Sequence, residues 1–457
     1  MTAAGAAGGS GALDEVLGGR LAIWGMGAEG LALAALASGR GVTPLLVDDQ
    51  PAGAAERAAA ALDAPVAVVA PGDVDWSGVD VVVRSPGVSR YRPELVAAEA
   101  AGAKVTSTMA LWLEDRADVA VLAVTGTKGK STTASLAAAI LEAGGLRVEL
   151  IGNIGVPVLD TYGRPRPDAY VVEVSSYQAA DVTRSPGVVV LTSLAPDHLD
   201  WHGGVEHYYR DKLRLIEAGP PGHLAVCAGN AEALARTAEH PDRTLFGPEG
   251  RVRVAADGWL EVDGDRLADT THLRVAGRHN VWNLCGAVAG VLLLTGAAPS
   301  ATAVEAAMAG FAGLPSRCAV VGERAGRTYV DDALASTPFA SAASVRTFDG
   351  RPLTVIVGGA DRGVDPAPLV EALTAHRPQA AVVVLSPGSG RLAGALSGVV
   401  GRVREAPDLA GAVAEATALT PQGGVVLFSP GAPTPEGGGG FRERSRQFVT
   451  AAGLGGT

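Results

Sequence analysis

A glycine-rich segment at residues 124–132 constrains the fold of this chain more than any other stretch. It reads Val-Thr-Gly-Thr-Lys-Gly-Lys-Ser-Thr, follows an apolar run that predicts a strand over 119–124, and precedes a predicted helix over 131–143. A strand, a glycine turn and a helix in this order are typical of α/β units, and the N–H groups that begin such a helix bind anions. The segment therefore predicts an α/β fold with a phosphate-binding loop.

The scarcity of lysine makes this segment more informative. Of the 37 lysines and arginines in the chain, only four are lysines. Arginine serves as well for surface charge, but it does not replace a compact ammonium at a phosphate or an amine that must react. The lysines are therefore candidates for function, with chance surface placement as the alternative for Lys128 and the favoured interpretation for Lys104. The four are Lys104, Lys128, Lys130 and Lys212.

A βα alternation continues on both sides of the loop. Apolar runs predict strands before it, and further strands and helices follow it to the end of the chain. The fold class is therefore α/β with three domains. They are a Rossmann-like domain over 1–110, a central P-loop domain with a parallel sheet over 111–313, and a C-terminal Rossmann-like domain over 314–457.

Composition excludes several classes of protein. The net charge is -11 and no cluster of Lys and Arg occurs, which argues against nucleic-acid binding. No apolar run reaches the roughly 18 residues of a membrane span, and no signal segment precedes the first strand. The three cysteines lie far apart and suggest neither a zinc site nor disulfides. A cytoplasmic protein is expected.

The chemistry of the loop points to ATP and Mg²⁺. Gly126 and Gly129 allow close backbone approach, Lys130 would lie on the β- and γ-phosphates, and Ser131 would offer a hydroxyl to Mg²⁺. The spacing departs from a strict Walker motif, whose first glycine would fall on Val124. The alternative is an ordinary glycine-rich turn, which a Gly-Lys-Ser-Thr helix start in a nearly lysine-free chain disfavours.

A second glycine motif lies near the start of the chain. Gly25, Gly27 and Gly30 form a GxGxxG pattern after a strand, and Asp48 ends the next strand at about the spacing of a dinucleotide-binding fold. The strand over 79–84 ends in Ser-Pro-Gly. From the residues alone, the motif is weak support for any one nucleotide.

Seven motifs, in order along the chain, resemble those of the Mur ligase and folylpolyglutamate synthase family. The loop resembles the family's phosphate loop, which usually has Asn where Lys128 stands. The others are Asn153-Ile-Gly155, Glu173-Val-Ser-Ser-Tyr-Gln178, Asp197-His-Leu-Asp200, Asp211-Lys212, Gly277-Arg-His-Asn-Val-Trp-Asn283 and Gly313-Leu-Pro-Ser-Arg317.

The resemblance implies a ligase that adds glutamate to UDP-N-acetylmuramoyl-L-alanine through an acyl phosphate. It implies catalytic roles for Lys130, Glu173, His198 and a carbamoylated Lys212, with Ser131, Glu173, His198 and Lys212 holding Mg²⁺. The implied ATP-binding residues are Gly126, Thr127, Lys128, Gly129, Lys130, Ser131, Thr132, Asn280, Asn283, Arg317 and Asp332. The implied substrate-binding residues are Gly25, Gly27, Asp48, Ser85, Pro86, Gly87, Asn153, Arg362, Thr434 and Phe441. A monomer is expected.

The C-terminal third departs from the pattern usual for a ligase that adds D-glutamate. Leu334 stands at the usual lysine, and Asp-Arg-Gly stands at 361–363 where a lysine is common. Together with Lys128, these departures favour L-glutamate as the substrate, with D-glutamate as the alternative. Purely structural roles stay open for single residues. Glu173 also suits a capped loop acid, His198 a surface ion pair, and Lys212 an exposed position on a charged helix.

Other functions stay open on the sequence alone. A folylpolyglutamate synthase shares the loop but lacks the segment of about 110 residues that precedes it here. An NAD-dependent oxidoreductase would use the GxGxxG motif but leaves Lys212 unexplained. A regulatory ATP-binding protein without catalysis would tolerate the loss of Lys130, Glu173 or Lys212.

Overall fold

Three β-sheets covered by helices form the framework of the chain, which confirms the predicted α/β class. The computed structural model describes residues 11–219, 222–275, 277–361, 363–386, 390–397, 402–435 and 439–454. The chain divides into two compact units, one with residues up to Thr270 and Trp282–Ala307, the other with Thr271–Val281 and the residues from Met308. The predicted domain boundaries at 110 and 313 stay a prediction.

The first sheet has four parallel strands in the order β2-β1-β3-β4. Each strand in the sheet interior is apolar and buried, as expected when helices cover both faces. All of its strands end at one edge, so the loops after β1, β2 and β3 meet there. Its elements are α1 (Ala12–Leu17), β1 (Leu21–Trp24), α2 (Ala28–Gly39), β2 (Leu45–Val47), α3 (Pro51–Leu62), β3 (Val81–Arg84), α4 (Pro93–Ala100), β4 (Lys104–Ser107) and α5 (Thr108–Asp115).

The second sheet has nine strands in the order β13-β12-β11-β10-β9-β8-β5-β7-β6. Strands β5 to β10 pair in parallel, β11 pairs in parallel with β10, and β11 to β13 form antiparallel hairpins. Its elements begin with β5 (Val121–Thr125), α6 (Lys130–Ala143), β6 (Val148–Gly152), β7 (Ala169–Glu173), α7 (Ser176–Ala179), β8 (Val188–Leu191), α8 (Leu199–His202) and α9 (Val205–Glu217). They continue with β9 (His223–Cys227), α10 (Ala231–Arg236), β10 (Arg243–Phe246), β11 (Val252–Val254), β12 (Trp259–Val262) and β13 (Asp265–Asp269), and the helices α11 (Arg278–Thr295) and α12 (Ala301–Gly310) follow.

The third sheet has six strands in the order β14-β15-β19-β16-β17-β18, and only the β14–β15 pair is antiparallel. The last strand, β19, returns to lie between β15 and β16. Its elements are β14 (Ala319–Arg324), β15 (Arg327–Asp331), α13 (Pro338–Thr347), β16 (Leu353–Val357), α14 (Ala367–Ala375), β17 (Ala381–Leu385), α15 (Gly390–Leu396), β18 (Val403–Ala406), α16 (Leu409–Leu419), β19 (Val425–Phe428) and α17 (Gly440–Ala451).

Among the described residues, no helix combines the length and the apolar character that crossing a bilayer requires.

Candidate active site

The loop between β5 and α6 has the backbone conformation that close phosphate approach requires. Gly126 has a φ of 141°, and Gly129, the N-cap of α6, has a φ of 92°. A Cβ on Gly126 would lie 2.1 Å from Thr192 Oγ1, and one on Gly129 would lie 2.3 Å from Asn283 Oδ1. Only glycine fits both positions. The N-terminus of α6 therefore presents its amides behind a loop without side chains at these two points.

Lys130, the first residue of α6, folds back across this loop. Its Nζ donates hydrogen bonds to the carbonyl oxygens of Gly126 at 2.9 Å and Thr127 at 3.1 Å. An ammonium at the start of a helix adds to the positive end of the helix dipole. The loop thus concentrates positive charge where an anionic ligand is expected.

A buried carboxylate lies beside the start of α6. Glu173 ends β7, pairs in register with Val124 of β5, and is fully buried. Ser131 Oγ donates to Glu173 Oε2 at 2.6 Å, and Asn153 Nδ2 donates to Oε1 at 2.7 Å. A hydroxyl and a carboxylate next to a phosphate loop are the ligands Mg²⁺ prefers when phosphates and water complete its shell.

The same site lacks a ready-made protein cage for a metal. Within the described ranges, no group of three or more His, Cys, Asp and Glu side chains is arranged to hold an ion. Mg²⁺ commonly binds through one or two carboxylates plus phosphate oxygens. Ser131 and Glu173 fit a Mg²⁺ that arrives with a nucleotide.

Lys212 reaches the loop from the other side. It lies on α9 with 2% of its surface exposed, and its Nζ donates to Gly126 O at 3.0 Å. Its Nζ also lies 5.1 Å from the centre of the Tyr208 ring. Burial, reinforced by the positive charges of Lys130 and Lys128, lowers the pKa of Lys212 well below its ordinary value. The amine is therefore readily neutral, unlike that of a lysine on a solvated helix face.

An acid and a histidine complete this cluster. Asp197 is buried, and its Oδ2 lies 3.5 Å from Lys128 Nζ and 3.7 Å from His198 Nε2. Burial lowers the pKa of His198 to about 4 despite the opposing charge of Asp197. A neutral imidazole is the form that ligates metals. The side chains of Lys128 and His198, which are 29% and 36% exposed, both face this buried carboxylate, and their functional roles stay predictions.

Three of the four lysines thus converge on one loop, whereas Lys104 lies on the exposed end of β4. The predicted ATP residues divide between the two units. Asn283 adjoins Gly129 in the first unit. Asn280, Arg317 and Asp332 belong to the second.

The first glycine motif forms a second loop at the carboxyl edge of the first sheet. Asp48 accepts a hydrogen bond from the Met26 amide at 2.8 Å, and Ser85 Oγ donates to Gly25 O at 2.5 Å. A Cβ on Gly30 would lie 1.9 Å from Gly25 O, so this position excludes any side chain. The predicted residues Gly25, Gly27, Asp48, Ser85, Pro86 and Gly87 therefore share one edge.

Two of the residues that are predicted to bind the incoming amino acid lie at the carboxyl edge of the third sheet. Thr434 follows β19, Phe441 lies on α17, and both side chains are partly buried. Arg362 lies outside the described residues. Asp332 is buried and accepts hydrogen bonds from Ser344 Oγ at 2.6 Å and Ser429 Oγ at 2.7 Å.

Two residues of these sites were not predicted. Asp197, directly before His198, was quoted only as part of a motif, although an acid beside a candidate ligand was a usable signal. Arg444 is 7% exposed on α17. The sequence feature that could have indicated it is the position of this arginine on the apolar face of the amphipathic C-terminal helix.

The chain is similar in sequence to known proteins over most of its length. Residues 124–291 match the family described as the Mur ligase middle domain. A UDP-N-acetylmuramoyl-L-alanine–L-glutamate ligase of a Micromonospora strain is 41% identical over 85% of this chain and 86% of its own length. The enzyme of the same name from Salinispora tropica is 40% identical over 85% of this chain and 86% of its own length.

The chain belongs to the Mur ligase family. It is an ATP-dependent ligase that joins an acid to an amino acid. The family resemblance drawn from the seven motifs is therefore confirmed, and an NAD-dependent oxidoreductase is excluded.

Solved structures show how widely this Mur ligase fold is shared. The UDP-N-acetylmuramate–alanine ligase of Thermotoga maritima aligns with a TM-score of 0.57 at 19% identity, over 94% of this chain and 98% of that one. The folylpolyglutamate synthase of Mycobacterium tuberculosis, in complex with ADP, aligns with a TM-score of 0.58 at 19% identity, over 76% of this chain and 93% of that one. At such identities the likeness shows the fold alone.

Proposed function

We propose that this Mur ligase joins L-glutamate to UDP-N-acetylmuramoyl-L-alanine, using ATP, in the synthesis of peptidoglycan precursors. The observation that carries the proposal is the convergence of Lys130, the Ser131–Glu173 pair and the buried Lys212 amine on one phosphate loop. The protein acts as a cytoplasmic monomer with three domains, whose boundaries follow residues 110 and 313.

The first chemical step forms an acyl phosphate. A carboxylate oxygen of the alanyl group attacks the γ-phosphorus of ATP, an O–P bond forms, and the bond to ADP breaks. Lys130 and the amides of residues 126–132 hold the phosphates in line, and Asn280, Asn283, Arg317 and Asp332 bind the rest of the nucleotide. Positioning and charge supply most of the rate of such a transfer.

Ser131, Glu173, His198 and Lys212 would hold Mg²⁺, which would supply charge neutralisation during this transfer. For Lys212 to take part, its neutral amine adds to CO₂, an N–C bond forms, and the nitrogen loses a proton. The product is a carbamate, whose two oxygens share one negative charge. The depressed pKa of Lys212 favours this reaction because only the unprotonated amine is a nucleophile.

The second step forms the peptide bond. The amine of glutamate attacks the acyl carbon, a C–N bond forms, and the C–O bond to phosphate breaks as the amine releases its proton. Asn153 and His198 face the acyl end, where Asn153 is already oriented by Glu173.

The nucleotide-sugar substrate binds at the first sheet. Gly25, Gly27, Ser85, Pro86 and Gly87 cradle the diphosphate, and Asp48 lies near the uridine. The positive φ of Gly25, 99°, suits close approach of a phosphate to the backbone.

Glutamate binds at the third sheet, near Thr434, Phe441 and Arg362. The L enantiomer is supported by the names of the 41% and 40% identical relatives, and by Leu334 at the lysine position usual in D-glutamate enzymes. The alternative is the same reaction with D-glutamate.

One experiment tests both the reaction and its stereochemistry. The purified protein is incubated with UDP-N-acetylmuramoyl-L-alanine, ATP and Mg²⁺, with L- or D-glutamate in separate reactions. The expected result is a product one glutamyl residue heavier, together with ADP and phosphate, with L-glutamate only. Product with D-glutamate only contradicts the stereochemistry, and no product with either contradicts the reaction.

A further inference from the structure

An arginine of the C-terminal helix is buried with hydrogen-bonding capacity to spare. Arg444 lies on α17 with 7% of its surface exposed. Its Nη2 donates to Gly358 O at 2.7 Å, whereas its Nη1 is buried and has no hydrogen-bond partner. The guanidinium carbon lies 5.1 Å from the centre of the Phe428 ring. One side of the guanidinium therefore has donors that nothing in the described chain accepts.

Such an arrangement is costly without an anion. A buried charge is normally paired, because removing an ion from water costs several kcal/mol. In the described part of the chain no carboxylate forms a salt bridge with Arg444, and burial alone lowers its pKa to about 10. The two acids that end β15 are occupied by hydroxyl donors, Asp331 by Ser316 and Ser445, and Asp332 by Ser344 and Ser429.

The position of Arg444 is one where α/β sheets bind ligands. Gly358 follows β16, and its amide donates to Pro430 O at 2.8 Å in the segment after β19. The Ala360 amide donates to Pro433 O at 2.9 Å in the same segment. Because β19 returns between β15 and β16, the strand order reverses here, and ligands bind at the carboxyl ends of strands at such a point.

The helix has an apolar anchor besides Arg444. Phe448, one turn further along α17, is fully buried and stacks on Phe428 at 5.4 Å between ring centres. This apolar contact anchors the helix to the sheet. The buried guanidinium is therefore an addition to the anchor and calls for a separate explanation.

We propose that Arg444 binds a carboxylate of the incoming amino acid and makes the ligase specific for a dicarboxylic one. The inference rests on the proposed function. A guanidinium presents planar, forked donors that match a carboxylate, and such charge-assisted pairs are strong. Gly358 and the Phe428 ring hold the fork in one orientation.

The test compares Arg444→Met with Arg446→Met. Arg446 lies on the same helix, but its side chain is 75% exposed. Arg446→Met therefore removes the same charge as Arg444→Met without changing the surroundings of the buried guanidinium. In Arg444→Met the KM for glutamate is expected to rise about 100-fold, the loss typical of a buried charge-assisted pair, with kcat and the KM values for ATP and the nucleotide sugar within about twofold. Arg446→Met is expected to match the unmodified protein. An unchanged KM for glutamate in folded Arg444→Met overturns the proposal.

A second measurement keeps the proposal testable if Arg444→Met does not fold. The unmodified protein is assayed with glutamate, with glutamine, which lacks the γ-carboxylate charge, and with the α-amide of glutamate, which lacks the α-carboxylate charge. Preference for glutamate over one amide by about 100-fold supports a carboxylate-binding cation. Equal use of all three overturns it.

Failure of the proposed reaction gives a different pattern. If no amino acid yields product, binding of glutamate is measured by calorimetry in the presence of a non-hydrolysable ATP analogue, for the unmodified protein and Arg444→Lys. Binding that weakens in Arg444→Lys supports the role of Arg444 while the ligase reaction fails. Absence of binding to the unmodified protein, or equal binding to both, overturns the role of Arg444.

Discussion

The amine nitrogen of Lys212 lies 3.0 Å from the carbonyl oxygen of Gly126, at the centre of the phosphate loop. Lys130 Nζ donates to the same oxygen at 2.9 Å. Two amines share one acceptor, and the more buried of them, on Lys212, has the strongly lowered pKa. Burial of Lys212 and the repulsion between two charged amines therefore favour a neutral Lys212. The neutral amine is the form that reacts with CO₂.

Replacement of Lys212 should nearly abolish ligation. Lys212→Ala removes the amine, and Lys212→Arg keeps a positive charge but cannot form a carbamate, so each should lower kcat by about 10²-fold or more. The rate of ADP release in the presence of all substrates measures this effect. Added formate or acetate should partly restore Lys212→Ala, because a small carboxylate can replace the carbamate oxygens.

The matched control is Lys104→Arg, since Lys104 is exposed on β4. It should leave kcat unchanged. A fully active Lys212→Arg enzyme contradicts the carbamate, whatever the result with formate.

Much of the fold follows from the sequence because buried parallel strands are continuous apolar runs. The interior strands β5, β7, β8, β16 and β19 are such runs, and β5 was predicted within two residues. Four strands were not: β4, β6, β14 and β18. Each lies at the edge of its sheet, where one side makes no ladder and polar residues such as Lys104 and Glu149 are tolerated.

The site was predicted unevenly for a similar reason. Residues within short motifs, such as Ser131 and Glu173, were identified because local spacing carries their chemistry. Arg444 was not, because its burial results from the return of β19 between β15 and β16, which local sequence does not encode. The domain boundaries and the roles of individual residues stay predictions.

The loop should not tolerate a side chain at Gly126. In Gly126→Ala the Cβ would lie 2.1 Å from Thr192 Oγ1 at a φ of 141°. Overpacking and backbone strain together should lower the free energy of unfolding by about 2–4 kcal/mol, and the displaced loop should weaken ATP binding. Urea unfolding and calorimetry with ATP measure the two effects.

Gly78→Ala provides the comparison. No atom lies within 4 Å of a Cβ added at Gly78, and the φ of Gly78 is not positive. It should change neither quantity measurably. Normal ATP affinity in Gly126→Ala would mean that the loop does not hold the phosphates.

His198 should remain neutral well below the usual range of histidine. Its pKa is lowered to about 4, first by burial and then by the positive charges of Lys128 and Lys130. Because the unfolded chain binds this proton near a pH of about 6.5, the contribution of His198 to stability is complete above that pH. It is lost as the pH falls towards 4.

The titration is measurable by NMR of the imidazole carbon-bound protons, with His198→Asn assigning the signal. The expected midpoint lies below a pH of about 5. Lys128→Ala should raise it, since a nearby positive charge is removed. A midpoint near 6.5 in the unmodified protein contradicts the burial of this ring.

A hydrogen bond from the first sheet should stabilise the helix that carries Lys212. Tyr91 OH lies 2.8 and 2.9 Å from the two carboxylate oxygens of Asp211, which also accepts from His202 Nδ1 at 2.6 Å. Tyr91→Phe removes this bond to a charged acceptor and also the bond that the hydroxyl accepts from Arg210 Nη2 at 2.9 Å, and it should lower the free energy of unfolding by about 1–2 kcal/mol. Tyr209 lies on α9 with Asp211 but outside this network, so Tyr209→Phe should lower the free energy of unfolding by less.

The coupling between Tyr91 and Asp211 is best separated from other effects by a double-mutant cycle. If the bond is real, Tyr91→Phe combined with Asp211→Asn should destabilise the protein by less than the sum of the single changes, because both remove the same interaction. Urea unfolding of the four proteins gives the coupling. Strict additivity would mean that Tyr91 stabilises α9 through other contacts, which are the bond from Arg210 to its hydroxyl and the packing of its ring against His207, where the centres lie 4.9 Å apart.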